Sequence, residues 1–275
     1  MLKLSRSALA LASLSCFSQL HAAPFADSVA QYLAGTGVTS AYMNPASALG
    51  EPSRVTPGLF GGPVDPFNTP YLGSQLVSVG EGGSLTVQFS APIANDPSHP
   101  YGLDFLVFGN AGFMVTNEMD TNFNFIGTPA TDGSLFGQNI GTTRVSVSQD
   151  GVAFYPLNPA LAPLVDGLFP TDGSGDFQRA VNPALTSASF AGLTLDGLRA
   201  LYGGSGGGAG FDIGWAQDVN GQSVTLDGIS FVRVEVLTGK SEIDGFVAVP
   251  EPGPWALLGI GAGLGWLVRR RSRRD

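Results

Sequence analysis

Side chains able to do chemistry are scarce in this sequence, and their spacing limits what they could do. It holds two histidines, His21 and His99, and one cysteine, Cys16. A serine–histidine–aspartate triad in the body of the chain would have to use His99. That residue lies in Asn95-Asp96-Pro97-Ser98-His99-Pro100, which reads as an exposed turn, and no Gly-x-Ser-x-Gly elbow accompanies it. Zinc cannot be held by one histidine without cysteine unless carboxylates supply nearly every ligand. Two acids at a suitable separation can hydrolyse a glycosidic bond, and Asp104, Glu118, Asp120, Asp212 and Glu242 are available. Seven of the sixteen aspartates precede glycine, however, and turn chemistry accounts for those. The run Gly203-Gly204-Ser205-Gly206-Gly207-Gly208-Ala209-Gly210 lacks the Lys-Ser/Thr of a phosphate loop and reads as a flexible connection. These residues point to a protein that is not an enzyme.

Oxygen ligands are more plentiful. Calcium draws its ligands from Asp, Asn and backbone carbonyls in loops. Thr171-Asp172-Gly173-Ser174-Gly175-Asp176, Asp218-Val219-Asn220-Gly221 and Asn117-Glu118-Met119-Asp120-Thr121-Asn122 are the richest such stretches. The expectation is one structural Ca2+ held by a subset of Asp172, Asp176, Asp218 and Asn220. The competing reading makes each stretch an ordinary solvated turn. No other cofactor is expected.

The elements that must position these residues read as β-structure. The chain has 275 residues, 43% hydrophobic and only 13% charged, which excludes a disordered acidic polymer. Its 39 glycines follow no three-residue period, so it is not collagen-like. Apolar and polar residues alternate in Ser84–Phe89, Arg144–Ser148, Val152–Tyr155 and Phe231–Val236, and Leu103–Phe108 is apolar except for Asp104, as in a buried central strand. Asp-Gly occurs seven times, a dipeptide suited to tight turns between short strands. Helical patterns are few: Asp27–Leu33, and Asp196–Tyr202 closed by Gly203. The expected fold is all-β, a jelly-roll-like antiparallel β-sandwich with few short helices over residues 24–249.

Both ends differ from this body. Lys3 and Arg6 precede an apolar stretch from Ala8 to Leu20 and a small-residue exit at Ala22-Ala23, the pattern of a secretory signal peptide over residues 1–23. At the other end Pro250-Glu251-Pro252 leads into fourteen uncharged residues, Trp255–Val268, and then Arg269, Arg270, Arg271, Arg273 and Arg274. As a transmembrane helix those fourteen residues reach about 21 Å, short of the roughly 30 Å hydrocarbon core. The arginines would hold the end on the cytoplasmic side. Residues 24–252 hold six basic against 21 acidic residues, a net charge of −15, which makes them a poor partner for nucleic acid.

The order Pro-Glu-Pro, short Gly/Leu-rich span and arginine cluster over residues 250–275 resembles the PEP-CTERM sorting signal of Gram-negative bacteria. The resemblance implies processing near Pro250-Glu251-Pro252 by an exosortase, a membrane transpeptidase-like protease, after the export machinery has delivered a membrane-anchored precursor. It implies a destination at the cell surface or in the exopolysaccharide matrix, with extracellular polysaccharide as a partner class. In the body, Ser148-Gln149-Asp150-Gly151-Val152-Ala153-Phe154-Tyr155 is similar to a hairpin of galactose-binding-like, discoidin-type jelly rolls. Gly102–Asn110, Gly210–Asp218, Leu226–Val234 and Ser241–Phe246 resemble segments of bacterial secreted surface proteins. That resemblance implies a structural, adhesive or binding module, with a carbohydrate-binding or glycan-processing protein as the alternative.

Overall fold

The computed structural model describes residues 23–59, 61–122, 124–137 and 141–250. In chain order its strands are β1 (Ser28–Leu33), β2 (Val55–Thr56), β3 (Gly62–Pro63), β4 (Val77–Gly80), β5 (Ser84–Ala94), β6 (Phe105–Gly109), β7 (Gly112–Val115), β8 (Thr131–Phe136), β9 (Thr143–Ser148), β10 (Tyr155–Pro156), β11 (Ala209–Phe211), β12 (Gly228–Val236) and β13 (Lys240–Ala248). Two short helices, α1 (Ser187–Phe190) and α2 (Leu195–Tyr202), lie between β10 and β11.

Alternation builds the main layers. One sheet runs β1-β5-β12-β9-β10 and the other β11-β6-β13-β4, every neighbour antiparallel. In the first, Val232 and Val234 of the middle strand stand between Val87 and Leu85 of β5 and Val147 and Val145 of β9. All six are buried in one apolar cluster with Val77, Val79, Phe105, Val107, Ile243 and Phe246 of the second sheet. That shared cluster joins the two sheets face to face. The second sheet is covered on its other side as well, where Leu106, Phe108, Val247 and Val249 pack with Phe177 and Ala180. This explains why β6 reads as an almost continuous apolar run.

Several expectations meet a different outcome. Asp27–Leu33 is not helical: Ser28–Leu33 forms edge strand β1 on β5, and sheet pairing overrides the local pattern. Val152 and Ala153 are not in a strand, because their N–H groups donate to the Asp150 carboxylate in a turn. Only Tyr155–Pro156 pairs with β9. The 203–210 glycine run is an ordered, largely buried segment rather than a flexible link. Gly208 N–H donates to Phe169 O at 2.9 Å and Gly206 O accepts from Asp172 N at 2.9 Å. Glycine serves there for close packing, since a Cβ on Gly208 would stand 2.9 Å from the Phe108 ring. The α2 pattern holds, with Thr194 as N-cap and Gly203 left-handed at its end.

Residues 1–22 of the expected signal peptide and residues 251–275, with the expected transmembrane helix, lie outside the described residues. No helix among the described residues is long and apolar enough to cross a membrane.

Candidate functional site at the C-terminal junction

Strand β13 is the last element before the Pro-Glu-Pro, and its acidic side chains fasten it to the rest of the fold. Glu242 accepts from Lys240 Nζ at 3.0 Å, from Asn110 Nδ2 at 2.6 Å and from the Thr39 hydroxyl. Asp244 accepts from Ser53 N at 2.8 Å and Ser53 Oγ at 2.7 Å. Its burial pushes the carboxyl up to about 7, against the lowering effect of those two bonds.

The strand ends in a three-chain arrangement. On one flank Ala248 pairs with Phe105 of β6, and Val249 N–H donates to Asp104 O at 2.8 Å. On the other flank the chain just before β1 lies antiparallel to it: Phe25 faces Val247, Ala248 N–H donates to Pro24 O at 2.7 Å, and Ala26 N–H donates to Phe246 O at 3.1 Å. Val249 is 4% exposed and Pro250 is exposed, so burial ends between them. A groove of about 660 Å³ beside this junction is lined by Pro24, Phe89, Pro92, Ile93, Val249 and Pro250, among others.

Beneath it lies a buried polar brace. Asp104 has no exposed surface and accepts from His99 Nδ1 at 2.8 Å, Asp96 N at 3.1 Å and Ile213 N at 2.8 Å. His99 is therefore buried, 3% exposed, and not the exposed loop residue that its Pro-rich setting suggests. Its Nδ1 carries the proton toward Asp104, and its Nε2 meets no hydroxyl or other hydrogen-bond partner among the described residues. The neighbouring Asp212 carboxyl is raised by burial first and then by the Asp104 charge. This is an anchoring network for the start of β6 and the end of β13, and it lacks the nucleophile of a triad.

Of the expected calcium ligands, Asp172, Asp176 and Asp218 accept hydrogen bonds from protein donors. Asp172 is 1% exposed and grips Arg199 through Nε at 2.7 Å and Nη2 at 3.1 Å, with Ser174 Oγ at 2.7 Å. Burial opposes its charge, but Arg199 and Ser174 outweigh burial and hold the carboxyl below its usual range. Asp176 accepts from Gln178 N at 2.9 Å. Asp218 closes a turn by accepting from Asn220 N and Gln222 N at 2.8 Å each. No group of three or more His, Cys, Asp or Glu able to hold a metal occurs among the described residues.

Of the sorting residues, Pro250 is described, whereas Glu251, Pro252 and Arg269, Arg270, Arg271, Arg273 and Arg274 lie outside the described residues. Sequence reasoning missed Phe25 and the His99–Asp104 brace. One signal was present, since Asp104 is the single acid in an otherwise apolar central strand and must be paired.

Comparison with protein-family models matches residues 248–273 to the PEP-CTERM protein-sorting motif. No curated protein matches the chain. The matched residues begin on the last two hydrogen-bonded positions of the sandwich, Ala248 and Val249. The chain thus carries, directly against its folded body, a PEP-CTERM sorting motif, the mark of an exported protein whose membrane-anchored precursor an exosortase processes in Gram-negative bacteria.

Proposed function

We propose that this is a cell-surface or matrix protein whose β-sandwich is a non-enzymatic structural or adhesive module, released from its anchor at the C-terminal junction. The observation that carries the reading is the position of the sorting motif. It starts where β13 ends, so removal of the tail beyond Pro250 leaves every strand intact. His99 and Asp104, the pair that a triad would need, serve instead to tie the start of β6 to the end of β13. The turn at Asp150-Gly151 that joins β9 to β10 supports a jelly-roll-like, discoidin-type kinship for the module. Mass spectrometry of the protein recovered from the cell exterior tests the sorting half. The expected mass lacks Arg269–Arg274, and an exterior protein with an intact C-terminus would overturn the reading.

A second reading, carbohydrate binding, rests on one groove of about 370 Å³, near the lower end of the usual range for ligand pockets. Phe67 and Phe125 offer ring surface there beside Asp65, Asn68 and Asp196. Rings with nearby carboxylate and amide groups suit a sugar face and its hydroxyls. A glycan array on the processed protein, repeated with Phe125→Ala, separates the readings. Signals lost in the variant support a lectin-like module, and a blank array leaves the structural one.

A further inference from the structure

The matched sorting motif and the folded body overlap, and that overlap has a mechanical consequence. Ala248 and Val249 belong to both. Their N–H groups are occupied on opposite flanks, by Pro24 O and by Asp104 O. Because Pro24–Ala26 runs antiparallel to Phe246–Ala248, the chain before Pro24 and the chain after Val249 leave the sandwich by the same edge. The Pro24–Ala26 segment is itself held down: Ala26 is fully buried, and its carbonyl accepts from Gly50 N at 2.9 Å.

A protease takes its substrate as an extended chain, pairing with main-chain groups on both sides of the bond it cuts. Three extended residues from Pro250 to Pro252 span only about 10 Å, the thickness of one packed sheet layer. A cleft that grips even two residues upstream of the Pro-Glu-Pro therefore needs Ala248 and Val249, which the sandwich holds.

We propose that the Pro24–Ala26 segment is a clasp that gates tail removal, so that the sorting protease cuts only when the Phe25–Val247 pairing opens. The inference rests on the exosortase-processing reading above. Hydrolysis of the bond would place a water oxygen on the new carboxylate and a proton on the amine of the leaving tail. The clasp controls access to that bond and takes no part in the bond change. With cutting slower than reclosing, the rate tracks the open fraction.

Phe25 and Val247 form a non-hydrogen-bonded antiparallel pair, whose Cα atoms stand about 4.5 Å apart, within disulfide reach. Cys16, in the expected leader, is the only cysteine of the sequence. The test is a Phe25→Cys/Val247→Cys full-length precursor in membranes containing the exosortase, followed by the rate of tail loss with and without dithiothreitol. The oxidised form should lose its tail at least about tenfold more slowly than the reduced form of the same protein. A second precursor, with Gly-Ser-Gly-Ser inserted between Val249 and Pro250, should be cut at least about tenfold faster than the wild type and covers a cysteine pair that fails to fold. Equal rates for oxidised and reduced forms, or for inserted and wild-type chains, would overturn the clasp. If no precursor loses its tail, the inserted one included, the processing reading itself fails and the clasp falls with it.

Discussion

Asp104 does at the scale of one side chain what a metal or a disulfide does in other exported domains. Its carboxylate takes three donors, His99 Nδ1, Asp96 N and Ile213 N, while its backbone carbonyl takes Val249 N–H and its N–H reaches Phe211 O at 2.8 Å. Five bonds on one buried residue connect β6, β11, the 96–99 turn and the end of β13. Asp104→Ala leaves those side-chain donors buried and unpaired, a loss on the order of 3–5 kcal/mol. Urea denaturation measures it, and a loss below about 1 kcal/mol would show that the brace carries no weight. Asp172 shows the same economy, with the Arg199 guanidinium standing where a cation would be needed. Addition of calcium or EDTA should accordingly leave the melting temperature unchanged, and a rise with calcium would mean that an oxygen cluster elsewhere takes the ion.

Among the elements, the glycine run after α2 shows how the same residue type serves two purposes. Gly208 and Gly221 both have positive φ, +85° and +75°, but a Cβ on Gly208 meets the Phe108 ring while one on Gly221 meets nothing within 4 Å. Gly221→Ala should cost about 1 kcal/mol for the left-handed backbone alone. Gly208→Ala adds overpacking against a buried ring, for a total of roughly 2–4 kcal/mol. Equal effects in thermal melts would return the 203–210 segment to the status of a loose connection. This contrast also shows what the sequence could and could not reveal. The strands around Val87, Val145 and Val234 and the capped helix α2 were legible because their signals are local: alternation, Thr194 before the helix and Gly203 after it. The clasp and the brace were not legible in that way. Phe25 meets Val247 across the whole length of the domain, and His99 looks like a loop residue until the fold places Asp104 against it. Strand β1 was misread for a related reason, since its pairing with β5 is decided by the distant sheet edge and not by its own helix-like opening.

Taken over the whole molecule, the titrating groups divide into two sets that oppose one another. Turn and ion-pair carboxylates hold their protons less tightly than in the unfolded chain: the Asp150 carboxyl is lowered by the Val152 and Ala153 N–H groups, and Glu235 by Arg144. Stability from this set is present above the ordinary carboxylate range and is lost as pH falls through the lowered folded values. Asp244 works the other way. Its folded value is raised from 3.8 to about 7, so its contribution is full below the unfolded value and is lost as pH rises to about 7. Over the interval from pH ~5.5 to ~7.5 the lowered set is ionised in both states and contributes little slope. The raised carboxyls, Asp244 and Asp212, then remove stability as pH rises, Asp244 by about 2 kcal/mol at roughly 1.4 kcal/mol per unit. The same carboxyl holds Ser53 to β13. Asp244→Asn keeps an acceptor for Ser53 N and offers a donor to Ser53 Oγ, with no charge to desolvate. Urea denaturation across this range should show a falling stability in the wild type and a much flatter profile in the variant, which becomes the more stable of the two at pH ~7.5. Parallel profiles would mean that Asp244 ionises in the folded protein as easily as in the unfolded chain.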